Sequence, residues 1–175
     1  MQNTLSNESK KSLNALMITW FTLTASLMFY LFICYIFFVT EAFTPPFTVE
    51  ILQTNLFNGM SMHAALYLVA AIIFIGGDVY SKSSYKKLLL EAMNQKFKTH
   101  EDEFNFFRTN YASIMLIHIG VFNVIAILGV IVFFLTFDLT TLMNLIIISL
   151  LGCVLMFPTK AKLTFPVEKA CSIKK

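Results

Sequence analysis

Four long apolar runs, none containing a Lys or Arg, alternate with polar stretches along the chain. A bilayer-crossing helix needs about 20 mostly apolar residues, and each run is close to that length or longer. The first run, 13–40, is 28 residues long and exceeds a hydrocarbon core of about 30 Å at about 1.5 Å per residue, so tilt or protrusion is expected. Pro45 and Pro46 then break the helix. Residues 47–58 mix apolar and polar positions and read as an interfacial helix or as an extension of the second span, 59–78. In 85–98, Leu88, Leu89, Leu90, Met93 and Phe97 recur at helical spacing, with Lys86, Lys87 and Glu91 mostly elsewhere, which predicts an amphipathic helix. Thr99 followed by Asp102 is an N-cap signature for a helix that enters the third span, 111–137. Asp138 and Leu139 leave room only for a tight hairpin before the fourth span, 140–157, which Pro158 stops. The expected fold is an all-α integral membrane protein: one domain, 1–175, with four transmembrane helices as two hairpins joined by a cytoplasmic amphipathic helix.

Charge gives this architecture an orientation. All 13 Lys and Arg lie in three blocks, 10–11, 82–108 and 160–175. With their seven acidic neighbours those blocks net +6, whereas the other side holds Glu41, Glu50 and Asp138 with no cation and nets −3. Cations beside spans favour the cytoplasmic face, so both termini and the central connection are expected in the cytoplasm. Twelve Lys against one Arg, with many Asn, Ile and Phe, is the usage of an AT-rich genome and reads as bacterial. The expected location is therefore the bacterial inner membrane. The basic blocks adjoin spans, so anionic headgroups are their nearest partner rather than nucleic acid. The composition agrees: 57% of residues are hydrophobic, above the usual 45–50% of soluble domains, and 19 are Phe. Lys10 and Lys11 resemble a signal-peptide start, but the run after them is far longer than such an apolar region, so it reads as a retained anchor.

Candidate chemistry is sparse. The spans carry no Lys or Arg and no central carboxylate, which speaks against a proton or cation carrier. His63 and His118 are the only imidazoles within spans, and their depths should differ by roughly 10 Å, too far for a shared haem or metal. Each reads as a histidine hydrogen-bonded between helices. Asn123, near the middle of the third span, is the best polar position for lining a path; helix-to-helix bonding is the plainer role. Gly120, Ala126 and Gly129, with Ser61, Ala64 and Ala65, read as positions of close helix packing, and Gly76-Gly77-Asp78 as a flexible exit from the second span. Cys34 and Cys153 lie in apolar spans and Cys171 in the cytoplasm, so no disulfide framework is implied. No phosphate-binding loop, zinc-protease motif, nucleophile elbow or dinucleotide fingerprint occurs, and no cofactor or metal is expected. A faint repeat pairs Phe37-Phe38-Val39-Thr40-Glu41 with Phe133-Phe134-Leu135-Thr136, each closing a span that runs outward.

Phe107-Arg108-Thr109, Phe134-Leu135-Thr136 and Phe157-Pro158-Thr159-Lys160 resemble a group of small, uncharacterised four-span bacterial membrane proteins, over about 104–162. That resemblance implies a fold and a location and supplies no activity. The same hairpin is distantly similar to the proteolipid c-type subunit of rotary ATP synthases, where a mid-helix carboxylate carries the ion. The corresponding position here is Asn123, which cannot take up and release a proton, and Phe137 stands where that family's turn has glycine. The resemblance implies the hairpin without the ion. The expected role is a non-enzymatic accessory or structural component of a membrane assembly, partnered by the bilayer and by other subunits or copies of itself. The competing expectation is an oligomeric channel or transporter lined by Asn123, His118 and His63. A lipid-acting enzyme using His100 and Glu101 ranks third.

Overall fold

The computed structural model describes residues 7–57, 59–95, 97 and 99–159. Four α-helices carry the architecture: α1 (Asn7–Thr40), α2 (Met62–Asn94), α3 (His100–Thr136) and α4 (Leu139–Leu155). At about 1.5 Å per residue they measure ~51, ~50, ~56 and ~26 Å. The first three are long and apolar enough to cross a membrane; α4, at 17 residues, is shorter.

α3 is the axis of the bundle and packs against the other three helices. Its buried residues Phe104, Phe107, Tyr111, Met115, His118, Phe122, Ala126, Gly129, Phe133 and Thr136 recur in steps of three and four, as one helix face requires. α1 buries only a narrow stripe, Leu16, Trp20, Leu27 and Cys34, while Phe21 and Ile18 are 69% and 67% exposed. So much uncovered apolar surface suits a lipid environment rather than water. α1 runs parallel to α3 in a register set at both ends. Arg108 donates to the Ser12 hydroxyl at one end, and the Phe37 and Phe134 rings meet at 5.7 Å at the other.

The helix ends are specified locally. Thr99 and Asp102 form a reciprocal capping box on α3, the predicted signature. Asp138 caps α4, accepting from the Thr140 and Thr141 amides at 3.0 and 3.3 Å and from the Thr141 hydroxyl at 2.5 Å. Phe137 turns the chain between α3 and α4 in a left-handed conformation, φ 60°. That geometry is costly for a residue with a Cβ. The Phe137 ring offsets it by packing on Phe43, Phe133 and Phe38, with centroids 4.9, 5.2 and 5.5 Å away.

Three sequence expectations change. The amphipathic helix expected over 85–98 is not a separate element: α2 runs unbroken from Met62 to Asn94. Gly76 and Gly77 are therefore helical rather than a flexible exit. The described part of the 47–58 stretch, 47–57, is neither an interfacial α-helix nor part of α2. It forms a 3-10 turn, Val49–Gln53, and then a two-stranded antiparallel hairpin of β1 (Asn55–Phe57) and β2 (Met60–Ser61). Gly59 at φ 81° makes the reversal.

Candidate functional site

The last turn of α4 carries carbonyls that no later helical amide can reach. Side chains from two other helices supply donors. His118 Nε2 donates to the Gly152 carbonyl at 2.9 Å, Trp20 Nε1 to that of Cys153 at 3.0 Å, and the Tyr111 hydroxyl to that of Met156 at 3.1 Å. The backbone adds its own turn bonds from Met156 and Phe157. These donors let a short helix end in apolar surroundings without stranding its carbonyls.

A carbonyl only accepts, so His118 Nε2 carries a hydrogen. Facing Nδ1 is the Ser81 hydroxyl, hydrogen-bonded to it from α2. The Ser81 hydroxyl donates to the Gly77 carbonyl at 2.8 Å. Histidine and serine are buried at 0% and 2% exposure. The chain Ser81–His118–Gly152 thus ties α2, α3 and α4 together at one level.

Close approach at this level depends on glycine. The Phe122 ring sits between Gly77 of α2 and Gly152 of α4. A Cβ on Gly152 would lie 1.8 Å from that ring, and one on Gly77 would lie 3.0 Å from it. Phe74 and His118 meet the same ring at 5.0 and 4.5 Å. Of the positions expected for close packing, Ala126 and Gly129 are buried, whereas Gly120 and Ala64 are exposed, and nothing lies within 4 Å of a Cβ placed on Gly120.

A cleft of about 230 Å³ opens beside this junction. Asp78, Ser81, Lys82 and Tyr85 line it from α2; Tyr111 and His118 line it from α3; Leu155 and Met156 close it from the end of α4. The four α2 residues fall at i, i+3, i+4 and i+7, hence on one face. Lys82 and Asp78 pair at 2.7 Å.

The three sequence candidates do not converge. His63 Nε2 lies 3.1 Å from the Thr141 hydroxyl, whose own proton goes to Asp138. His63 therefore donates into the first turn of α4, while His118 binds in its last turn, ~16 Å further along the helix. Asn123 lines neither place; it is half-buried, and its Oδ1 has no hydrogen-bond partner among the described residues. No group of three or more His, Cys, Asp and Glu side chains able to hold a metal occurs among the described residues. The side chains of His100 and Glu101 lie outside the described set, as does Cys171.

Ser81, Gly152, Trp20 and Tyr111 escape a reading of the sequence. Ser81 falls in a polar stretch that resembles a loop until α2 is known to continue through it. Trp20 and Tyr111 look like ordinary span aromatics; only the end of α4 makes them donors. Compared with known protein families, curated proteins and solved structures, the chain matches none.

Proposed function

We propose that this chain is a four-span protein of the bacterial inner membrane, with both termini cytoplasmic, serving as a non-enzymatic accessory or structural component of a membrane assembly. One observation carries the reading. Several polar side chains within the apolar helices join one helix to another: His118 on Gly152 and Ser81, Trp20 on Cys153, Ser149 on the Phe122 carbonyl at 2.8 Å, and Asn144 on the Tyr67 hydroxyl at 2.9 Å. Groups bonded in this way rigidify a bundle. The broad apolar surface of α1 and α2 supports contact with lipid and neighbouring subunits.

The test is extraction in mild detergent at native expression. The chain should migrate in a complex of fixed stoichiometry, and its deletion should lower the level of the co-migrating subunit. Migration as a lone 19.9 kDa chain with no change in any other membrane protein would sink the reading. Topology is tested separately. Reporter fusions at Glu41 and Asp138 should report the outside, and fusions at Gln95 and Lys175 the cytoplasm.

A second reading, an oligomeric channel or transporter, draws on Asn123, whose Oδ1 is buried without a partner among the described residues. It requires flux through reconstituted vesicles that falls when His63, His118 and Asn123 are all replaced by alanine. Equal flux through that triple variant removes it.

A further inference from the structure

The cleft between α2, α3 and the end of α4 grades from an exposed, charged rim to a buried floor. At its mouth the Lys82 side chain is 76% exposed and its ion-pair partner Asp78 is 23% exposed. Its floor is the buried Ser81–His118 pair. Between them lie the Tyr85 and Tyr111 rings and the Leu155 and Met156 side chains. A cation and an anion thus sit side by side at the rim of an otherwise apolar recess.

Two further features restrict what could fill it. A pocket for a drug-sized molecule measures about 300–1,000 Å³, and this one, at about 230 Å³, is smaller. It can seat one end of a larger amphiphile whose remainder lies outside. Leu155 and Val154, 47% and 56% exposed, extend the apolar wall from the cleft onto the outer face of the bundle. A chain leaving the cleft along that wall stays on apolar surface. Meanwhile a paired Lys and Asp complement a headgroup that itself carries both signs: phosphate toward the ammonium, amine toward the carboxylate. A purely anionic headgroup would leave Asp78 facing like charge.

We propose that this cleft binds the headgroup end of a zwitterionic aminophospholipid, with Lys82 taking the phosphate, Asp78 the amine, and Tyr111, Leu155 and Met156 the adjoining glycerol and acyl carbons. The Ser81–His118 pair closes the floor and keeps the recess from extending into the bundle. This assigns a lipid partner to the membrane protein proposed above. It stands on the cleft and not on which side faces the cytoplasm, so reversed reporter fusions would overturn the topology and leave lipid binding to be judged by itself.

Native mass spectrometry of the full chain in detergent tests it, with dioleoyl phosphatidylethanolamine, dioleoyl phosphatidylglycerol and free phosphoethanolamine as probes. Phosphatidylethanolamine should be retained at about fivefold lower concentration than phosphatidylglycerol, a preference of ~1 kcal/mol. Asp78→Asn should bring the two lipids to parity, and Lys82→Gln should weaken both. Leu155→Trp, which leaves both charges in place and fills the recess, should reduce phosphatidylethanolamine retention even if a charge variant fails to fold. Parity of the two lipids on the wild-type chain overturns the proposal, as does an undiminished preference in folded Asp78→Asn or unchanged retention in Leu155→Trp. Free phosphoethanolamine binding as tightly as the lipid also overturns it, since the ligand would then be a soluble phosphate compound.

Discussion

Glycine 152 and its contact with Phe122 illustrate how one atom sets the spacing of three helices. The ring occupies the place a Cβ would take, and Gly77 accommodates its other side. Gly152→Ala should therefore force the ring or α4 to shift, a loss of about 1–3 kcal/mol. Gly120→Ala, with open space around it, should be neutral or stabilising by up to ~1 kcal/mol through helix propensity. Thermal unfolding of both variants in the same detergent checks this. Equal midpoints would mean that the Phe122 contact does not control packing. Both glycines lie in apolar runs and look alike in the sequence. What distinguishes them is the direction each faces, which depends on where α4 lies.

At the scale of elements, α2 departs most from its sequence pattern. Its apolar run ends near Asp78, and the amphipathic stretch that follows reads equally well as a second helix lying flat. Nothing between them forces a break: Val79 to Tyr85 contains no Pro, and Ser81 bonds back to Gly77 within a continuous helix. Spin labels at Ala71→Cys and Glu91→Cys, both exposed positions, should lie ~30 Å apart along an unbroken helix. A distance below ~20 Å from pulsed dipolar spectroscopy would instead show a bend. The ends of α1 and α3 follow their sequence more closely. Each closes on Phe-Phe-x-Thr followed by a positive-φ residue, Glu41 in one and Phe137 in the other. These two residues are 96 positions apart, the same offset that joins Ser12 to Arg108 in the packed register. The two similar helix ends are thus brought level, with their rings in one cluster through Phe37, Phe43, Phe134 and Phe137.

Over the whole molecule, two polar junctions hold opposite ends of α4. One runs from His63 through Thr141 to Asp138, and the other from Ser81 through His118 to Gly152. Separated by ~16 Å and sharing no partner, they should act independently. His63→Ala and His118→Ala should each destabilise by about 1–3 kcal/mol, with the larger loss at His118, whose removal strands a buried carbonyl. Their combined effect should equal the sum within about 0.5 kcal/mol. A coupling above ~1 kcal/mol would connect the two ends and favour the reading of a continuous polar path.

The order of apolar and polar positions by itself determined that the chain is helical and apolar enough for a membrane, and where most of its helices begin and end; it suggested four spans, and three helices prove long and apolar enough to cross. These properties follow from local sequence: apolar length, the Thr99–Asp102 and Asp138 caps, and the Pro45–Pro46 break. The tertiary structure alone decided the continuity of α2, the donors that cap α4, and the cleft at Asp78 and Lys82. The cap and the cleft depend on residues 34 to 133 positions apart meeting across helices. Helix rotation and register, which bring such residues together, are set by packing around Phe122 and its glycines rather than by the periodicity of any one segment.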